Sequence, residues 1–197
     1  MKKSINDIKY ELKNMLSERR YEHSLGVMEK AIELAKIYNV NTEKAAYSGL
    51  VHDIAKEMTI KQYYKYCKEN KIYLTKDDRK SPSVIHGIVG ADIVKRRYGF
   101  TKDMCDAIYY HTTGKARMTL LDKIVFVADK SEERTRIGEQ ADKLRKITKE
   151  EGLDAAILFI FDEWSLPKAI NQKRIIHPNT IFARNYILEN INRNNNQ

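Results

Sequence analysis

"GLVHDIAKEM", residues 49–58, sets an imidazole and a carboxylate side by side, His52 and Asp53, in a stretch that otherwise reads as the end of a buried helix. A core built for packing alone takes alanine or leucine at such positions. Burying a polar group without a partner costs free energy, and burying an unpaired carboxylate costs far more. The doublet therefore needs partners elsewhere in the chain.

Outward from it, apolar residues recur at spacings of three and four, and alternation with period two is nearly absent, so the chain reads as all-α. A first helix follows Ser4, an acceptable N-cap, and buries Ile5, Ile8, Leu12 and Met15. A second runs from about Arg20 to Tyr38, with Tyr21, Leu25, Met28, Ile32 and Ala35 on one stripe and His23, Val27 and Leu34 on its flank. The third, from about Thr42 to Ala55, carries His52 and Asp53 near its end. A short helix after Thr59 holds Tyr63, Tyr64 and Cys67, and Thr75 with Asp78 offers a capping box. Pro82 and Ser83 open the next helix, with His86 in its first turn and Gly87, Gly90 and Ala91 where another backbone can approach. Helix 102–111 puts His111 on the face of Met104, Ala107 and Ile108. In the helix from Thr119, Asp122 and Asp129 are seven apart and share a face. Helices at about 139–150, 152–165 and 179–192 are amphipathic, Trp164 falling on the apolar stripe of the second. They read as a C-terminal cap (about 138–192) on a core of about 18–135, and the polar tail "NRNNNQ" reads as frayed.

At 197 residues, with 42% hydrophobic and 32% charged residues and only 8 glycines and 3 prolines, the chain is expected to form one domain, 1–197, and not a disordered or collagenous polymer. No apolar run approaches the roughly 20 residues of a membrane span. The opening "MKKSINDIKYELKNML" lacks the apolar centre of a signal peptide. With just two cysteines, Cys67 and Cys105, this points to a reducing, cytoplasmic setting. A net charge of +9 suits a polyanion. The basic residues are scattered in pairs such as Arg19-Arg20 and Lys173-Arg174 instead of gathered in an arm, which favours a small phosphorylated substrate over nucleic acid. Tyr63, Tyr64 and Tyr66, read as exposed, offer a surface for a homodimer.

The chain has five histidines, and four of them, His23, His52, His86 and His111, fall at inward or helix-terminal positions on four successive helices, with Asp53 and Asp129 in the same setting. Any one alone reads best as a core imidazole satisfied by a neighbour. Together they form a mixed nitrogen and oxygen donor set suited to iron, manganese, cobalt or zinc and unsuited to magnesium or calcium. Six protein ligands exceed the need of one catalytic ion, so two ions sharing a carboxylate fit better.

The order His23, His52-Asp53, Asp129 resembles the HD-domain superfamily of metal-dependent phosphohydrolases, and His86 and His111 resemble its members with a second metal. The segments "RRYEHSLGV" (19–27), "HDIAKE" (52–57), "HGIVGA" (86–91), "YHTTGKARMTLLDKIVFVADKSE" (110–132) and "IHPNTIFARN" (176–185) look like the YqeK family, whose members are symmetrical diadenosine tetraphosphate hydrolases. The resemblance implies an HD-domain helical bundle with a central metal site, one or two iron ions, and a dinucleoside polyphosphate or ADP as ligand. His23, His52, Asp53 and Asp129 would hold one ion, and His86, His111 and a bridging Asp53 the second. A water between them, acidified to hydroxide, would attack an inner phosphorus and leave two ADP.

The same resemblance makes Lys56, otherwise a solvated lysine, a catalytic contact to phosphate beside Asp53. It adds Arg20, Thr112 and one arginine of "DKSEERTR" as substrate contacts, together with His23, His86 and Asp129. Arg134 is preferred over Arg136 for that arginine. The segment Ile176, His177, Pro178, Asn179 and Thr180 would border the nucleotide, although on its residues alone it reads as a helix start with Asn179 or Thr180 near the cap. Two other functions fit the residues: a different HD-type nucleotidase or phosphodiesterase, and a non-catalytic nucleotide- or RNA-binding stress protein with structural metals.

Overall fold

The computed structural model describes residues 3–195, and within them it contains helices and turns and no strand. The element order is α1 (Ile5–Met15), α2 (Glu18–Ile37), α3 (Thr42–Val51), α4 (Ile60–Glu69), α5 (Lys76–Lys80), α6 (Ile85–Tyr98), α7 (Lys102–Tyr110), α8 (Leu120–Ser131), α9 (Glu139–Glu150), α10 (Leu153–Phe159), α11 (Leu166–Asn171) and α12 (Pro178–Asn195). A single 3₁₀ turn, Pro82–Val84, leads into α6, and a π-helical turn, Ile160–Ser165, joins α10 to α11.

Local chemistry fixes four of the helix starts. Ser4 with Asp7, Thr59 with Gln62, Thr75 with Asp78 and Thr119 with Asp122 each form a reciprocal capping box, in which two otherwise orphaned N–H groups find acceptors. Asp122 thereby finds its role: it caps α8 and pairs with Lys115 at 3.1 Å, apart from the six donors.

The central layer is α2, α3, α7 and α8, packed around Val27, Ala31, Leu50, Ile108, Ile124 and Val125, all of them fully buried. The buried face of α2 takes in the expected flank, His23, Val27 and Leu34, together with Ala31 and, from the expected stripe, Met28 and Ala35, while Tyr21, Leu25 and Ile32 are only partly covered. On α1 the buried pair is Ile8 and Leu12, and Met15 at the helix end is 45% exposed. α10 closes the layer from the C-terminal side, where Phe161 meets Phe126 with ring centroids 5.2 Å apart, a contact worth about 1 kcal/mol beyond its burial. Tyr63 is buried, with its hydroxyl donating to the Ala55 carbonyl, and the Tyr66 hydroxyl donates to Asp92, so these two do not form the open surface read from the sequence. The polar tail remains helical to Asn195, and the expectation of fraying for its last two residues lies outside the described residues.

Two departures matter for the site. α3 ends at Val51, four residues short of its expected end, and residues 52–58 wind more tightly, with bonds from Ile54 to Val51, Lys56 to Asp53 and Met58 to Ala55. This turn carries His52 and Asp53 inward and brings Lys56 back over them. Gly87 on α6 lies so near α7 that a Cβ there would sit 2.8 Å from the Tyr109 carbonyl and 3.1 Å from that of Ile108. Only a residue without a side chain permits that approach, and it sets His86 against His111.

Candidate metal centre

Four helices and one turn deliver six side chains to one point. His23 comes from α2, His52 and Asp53 from the end of α3, His86 from the first turn of α6, His111 from the end of α7 and Asp129 from α8, and all six are buried. Each histidine has its Nδ1 engaged: His52 donates to the Gly49 carbonyl at 2.8 Å, His86 to Ser83 at 2.6 Å and His111 to Ile108 at 2.7 Å, while His23 meets Glu132 at 3.0 Å. With the proton on Nδ1, the tautomer that these contacts allow, every Nε2 would present a lone pair inward to a bound metal, the second-sphere arrangement of metal-ligating imidazoles.

Those lone pairs meet acceptors. His23 Nε2 is 3.0 Å from Asp129 Oδ1, and His86 Nε2 is 2.9 Å from His111 Nε2 and 3.1 Å from Asp53 Oδ1. His52 Nε2 and Asp53 Oδ1 are buried without a hydrogen-bond partner among the described residues. Acceptors crowded on acceptors are satisfied by a cation, and the nitrogen and oxygen set fits a transition metal. Two groups lie within ligating reach: His23, His52 and Asp129, and His52, Asp53 and His111, in each of which the donor atoms are within 4.8 Å of one another.

Charge around the cluster is arranged to keep it anionic. Burial opposes charge on both aspartates, but His52 beside Asp53, and Lys130 with His23 beside Asp129, hold both carboxyls well below their usual range. Burial pushes the His86 imidazole down to about 4 and lowers that of His52. Burial also lowers the Lys56 ammonium, which donates to His86 Nε2 at 3.1 Å. Arg20 donates to Asp53 Oδ2 at 2.6 Å, Lys130 to Asp129 Oδ2 at 2.6 Å and Arg136 to Asp129 Oδ1 at 2.9 Å.

Beside the centre lies a cleft of about 740 Å³ between the core helices and the C-terminal segment, lined near the centre by Lys56, Thr112, Lys130 and Arg136, which contact the donors, and farther along by Lys80, Lys168, Lys173 and Arg174. Among its described lining residues every fully charged side chain is cationic. Thr112 stands with its hydroxyl 3.2 Å from His111 Nε2. From the 176–180 segment, Ile176, His177 and Thr180 line the cleft, while Pro178 and Asn179 begin α12 outside it. His177 uses both ring nitrogens internally, donating from Nε2 to Asp78 at 3.2 Å and accepting at Nδ1 from the Asn179 N–H.

Arg134 is not at the centre. Its guanidinium lies at the surface between Glu22 and Glu29, 2.5 and 2.7 Å away, and Arg136, two residues on, takes the position at Asp129. The chain turns back after α8 around Glu132, whose carboxylate accepts from the N–H groups of Arg134 and Thr135, and this turn directs the two arginines to opposite sides. Glu132, Lys130 and Arg136 all lie in or beside "DKSEERTR", yet only Arg136 among them was considered from the sequence. Glu132 carries no exposed surface, and His23 with Thr135 overcomes the cost of its burial to bring its carboxyl down to about 2. It reaches His23 because Gly26 has no side chain: a Cβ there would be 2.2 Å from Glu132 Oε2.

Residues 20–134, which contain all six donors, match the HD domain family. A symmetrical bis(5'-nucleosyl)-tetraphosphatase of Bacillus subtilis (strain 168) is 33% identical over 178 residues, covering 90% of this chain and 94% of that protein. The chain belongs to the HD-domain family of symmetrical bis(5'-nucleosyl)-tetraphosphatases. A second such tetraphosphatase, from Halalkalibacterium halodurans, is 32% identical over 183 residues, 90% of this chain and 93% of that one. The crystal structure of an HD superfamily hydrolase from Clostridium acetobutylicum, described as involved in NAD metabolism, is similar with a TM-score of 0.90 and 39% identity, covering 96% of this chain and 100% of the other. In this HD domain the doublet of the family name is His52-Asp53, and the family implies a divalent metal at the donor groups described above.

Proposed function

We propose that the chain hydrolyses diadenosine tetraphosphate symmetrically to two ADP. The observation that carries this reading is the convergence of six buried metal-donor side chains beside a cleft whose charged lining is cationic, the complement of a polyphosphate, with Lys56, Thr112, Lys130 and Arg136 each touching a donor and lining that cleft. The named activity of the relatives supports it.

His23, His52, Asp53, His86, His111 and Asp129 would hold the metal, iron on the family resemblance, with manganese, cobalt and zinc suited to the same donors. Such ions acidify a water nucleophile and neutralise phosphate oxygens as charge develops. The chain's own part is positioning and charge. Lys56, 3.8 Å from Asp53, and Arg136, 2.9 Å from Asp129, both line the cleft and are placed to clamp phosphate oxygens, with Arg136 offering a planar fork. Arg20 orients Asp53 through its 2.6 Å bond and adds a further cation. The Thr112 hydroxyl can donate to a phosphate oxygen from its place beside His111. Ile176 and Thr180 would border the nucleotide, and His177 would hold that border to Asp78. ADP is a good leaving group, so orientation and charge neutralisation outweigh acid catalysis.

We place the protein in the cytoplasm, a setting that the two free cysteines support, and regard the whole chain as one domain acting without nucleic acid. Chromatography of the products decides the reaction. ADP as sole product is expected; AMP plus ATP, or no turnover with iron or manganese supplied, overturns it. Steeply salt-dependent RNA binding without hydrolysis would instead support the non-catalytic reading.

A further inference from the structure

Trp164 is the single tryptophan of the chain, and its helical spacing from Leu153, Ile157 and Phe161 makes it a core residue on sequence alone. In the structure it is only partly buried, and it lines the cleft. It lies within the π-helical turn Ile160–Ser165, where the ring both packs against the core and lines the cleft. Such turns are rare and gather at functional sites. This one is fastened from outside, the Gln140 side chain donating to the Glu163 carbonyl at 2.9 Å.

The cleft lining is cationic along its length, with Lys56, Lys130 and Arg136 near the metal centre and Lys168, Lys173 and Arg174 on the C-terminal segment, and to these the C-terminal segment adds the aromatic face of Trp164 and the apolar side chain of Leu166. A nucleoside diphosphate offers a partner to each, a charged diphosphate to the cations and an aromatic base to the ring. We propose that Trp164 is the stacking wall for the base of one nucleoside diphosphate half of the substrate. The ring selects a base-bearing polyphosphate over a base-free one, because any base offers a π face to stack on and pyrophosphate offers none. This rests on the hydrolase reading and specifies which residue of the site recognises the nucleoside.

The single tryptophan supplies its own reporter. Titrating the protein with ADP is expected to change Trp164 emission to saturation, and titrating with pyrophosphate is expected to leave it nearly unchanged. Trp164→Leu keeps apolar volume against the core and removes the aromatic face; it is expected to raise KM for diadenosine tetraphosphate roughly tenfold with kcat little altered, and Trp164→Phe to restore most of the loss. An equal response to pyrophosphate, no response to ADP, or an unchanged KM in Trp164→Leu overturns the proposal. Normal turnover with no emission change removes the stacking role and leaves the hydrolase standing. Emission change without turnover supports the stacking role and removes the hydrolase.

Discussion

The Nε2 atoms of His86 and His111 stand 2.9 Å apart while both rings spend their Nδ1 protons on main-chain carbonyls. Lys56 donates to one of these two facing nitrogens, and a metal cation would satisfy both at once. Adding iron or manganese to chelator-treated protein is therefore expected to raise the melting temperature. At a hundredfold excess over Kd the gain is about 2.7 kcal/mol, several degrees for a chain of this size. A melting curve indifferent to iron, manganese, cobalt and zinc would contradict the site.

Replacing Gly26 by alanine tests the outer sphere. Alanine favours a helix over glycine by roughly 1 kcal/mol, so intrinsic propensity predicts a gain. The new Cβ, however, would sit 2.2 Å from Glu132 Oε2 and force that carboxylate off His23. Metal affinity is expected to fall by about 10- to 100-fold, read by competitive titration against a chelating dye. Unchanged affinity would mean that Glu132 does not orient the ligand.

The two arginines after α8 should behave oppositely. Arg136→Ala removes a cation bonded to Asp129 and facing the cleft, and kcat/KM is expected to drop roughly 10- to 100-fold, the range of a hydrogen bond between charged groups. Arg134→Ala breaks partly exposed pairs with Glu22 and Glu29, which are worth at most about 1 kcal/mol, and should leave turnover near that of the parent. Steady-state kinetics of the two variants would expose a reversal at once.

Acid should destabilise the metal-free protein earlier than carboxylates alone would. Burial, reinforced by Lys56, lowers His86 from 6.5 to about 4, so between those pH values the unfolded chain binds a proton that the folded chain refuses. Stability then rises with pH across that window, and His52 acts in the same direction. His23, raised despite its burial by Asp129 and Glu132, opposes them: its contribution is present below 6.5 and fades above it. Asp53 and Asp129, both depressed, stabilise the fold above 3.8 and lose that effect only in stronger acid. Melting temperatures of stripped protein are expected to climb from pH 4 toward 6.5, and a flat profile would refute the assignment.

Most of the donors were legible in the sequence because they sit on or at the end of a helix whose apolar period declares which way it faces, while His52 and Asp53, on the turn after α3, were legible as an adjacent polar pair in an apolar stretch. His111 beside Ile108 and His23 one turn before Val27 needed nothing else. Arg136 and Glu132 were not legible, since they lie on an irregular turn whose course depends on N–H groups of Arg134 and Thr135 finding a carboxylate. Trp164, read on the apolar stripe, does pack against the core; its second contact, with the cleft, was not legible, because a π turn alters the angle between residues without altering their number and a spacing argument cannot sense it.

Where Gly87 rests against the Tyr109 and Ile108 carbonyls, the separation of two metal-binding rings is set by main chain touching main chain. Side-chain volumes elsewhere can drift, and the core can be repacked, without lengthening that gauge. The reach between donors in this protein is accordingly a backbone constant, and the imidazoles are interchangeable fittings mounted on it.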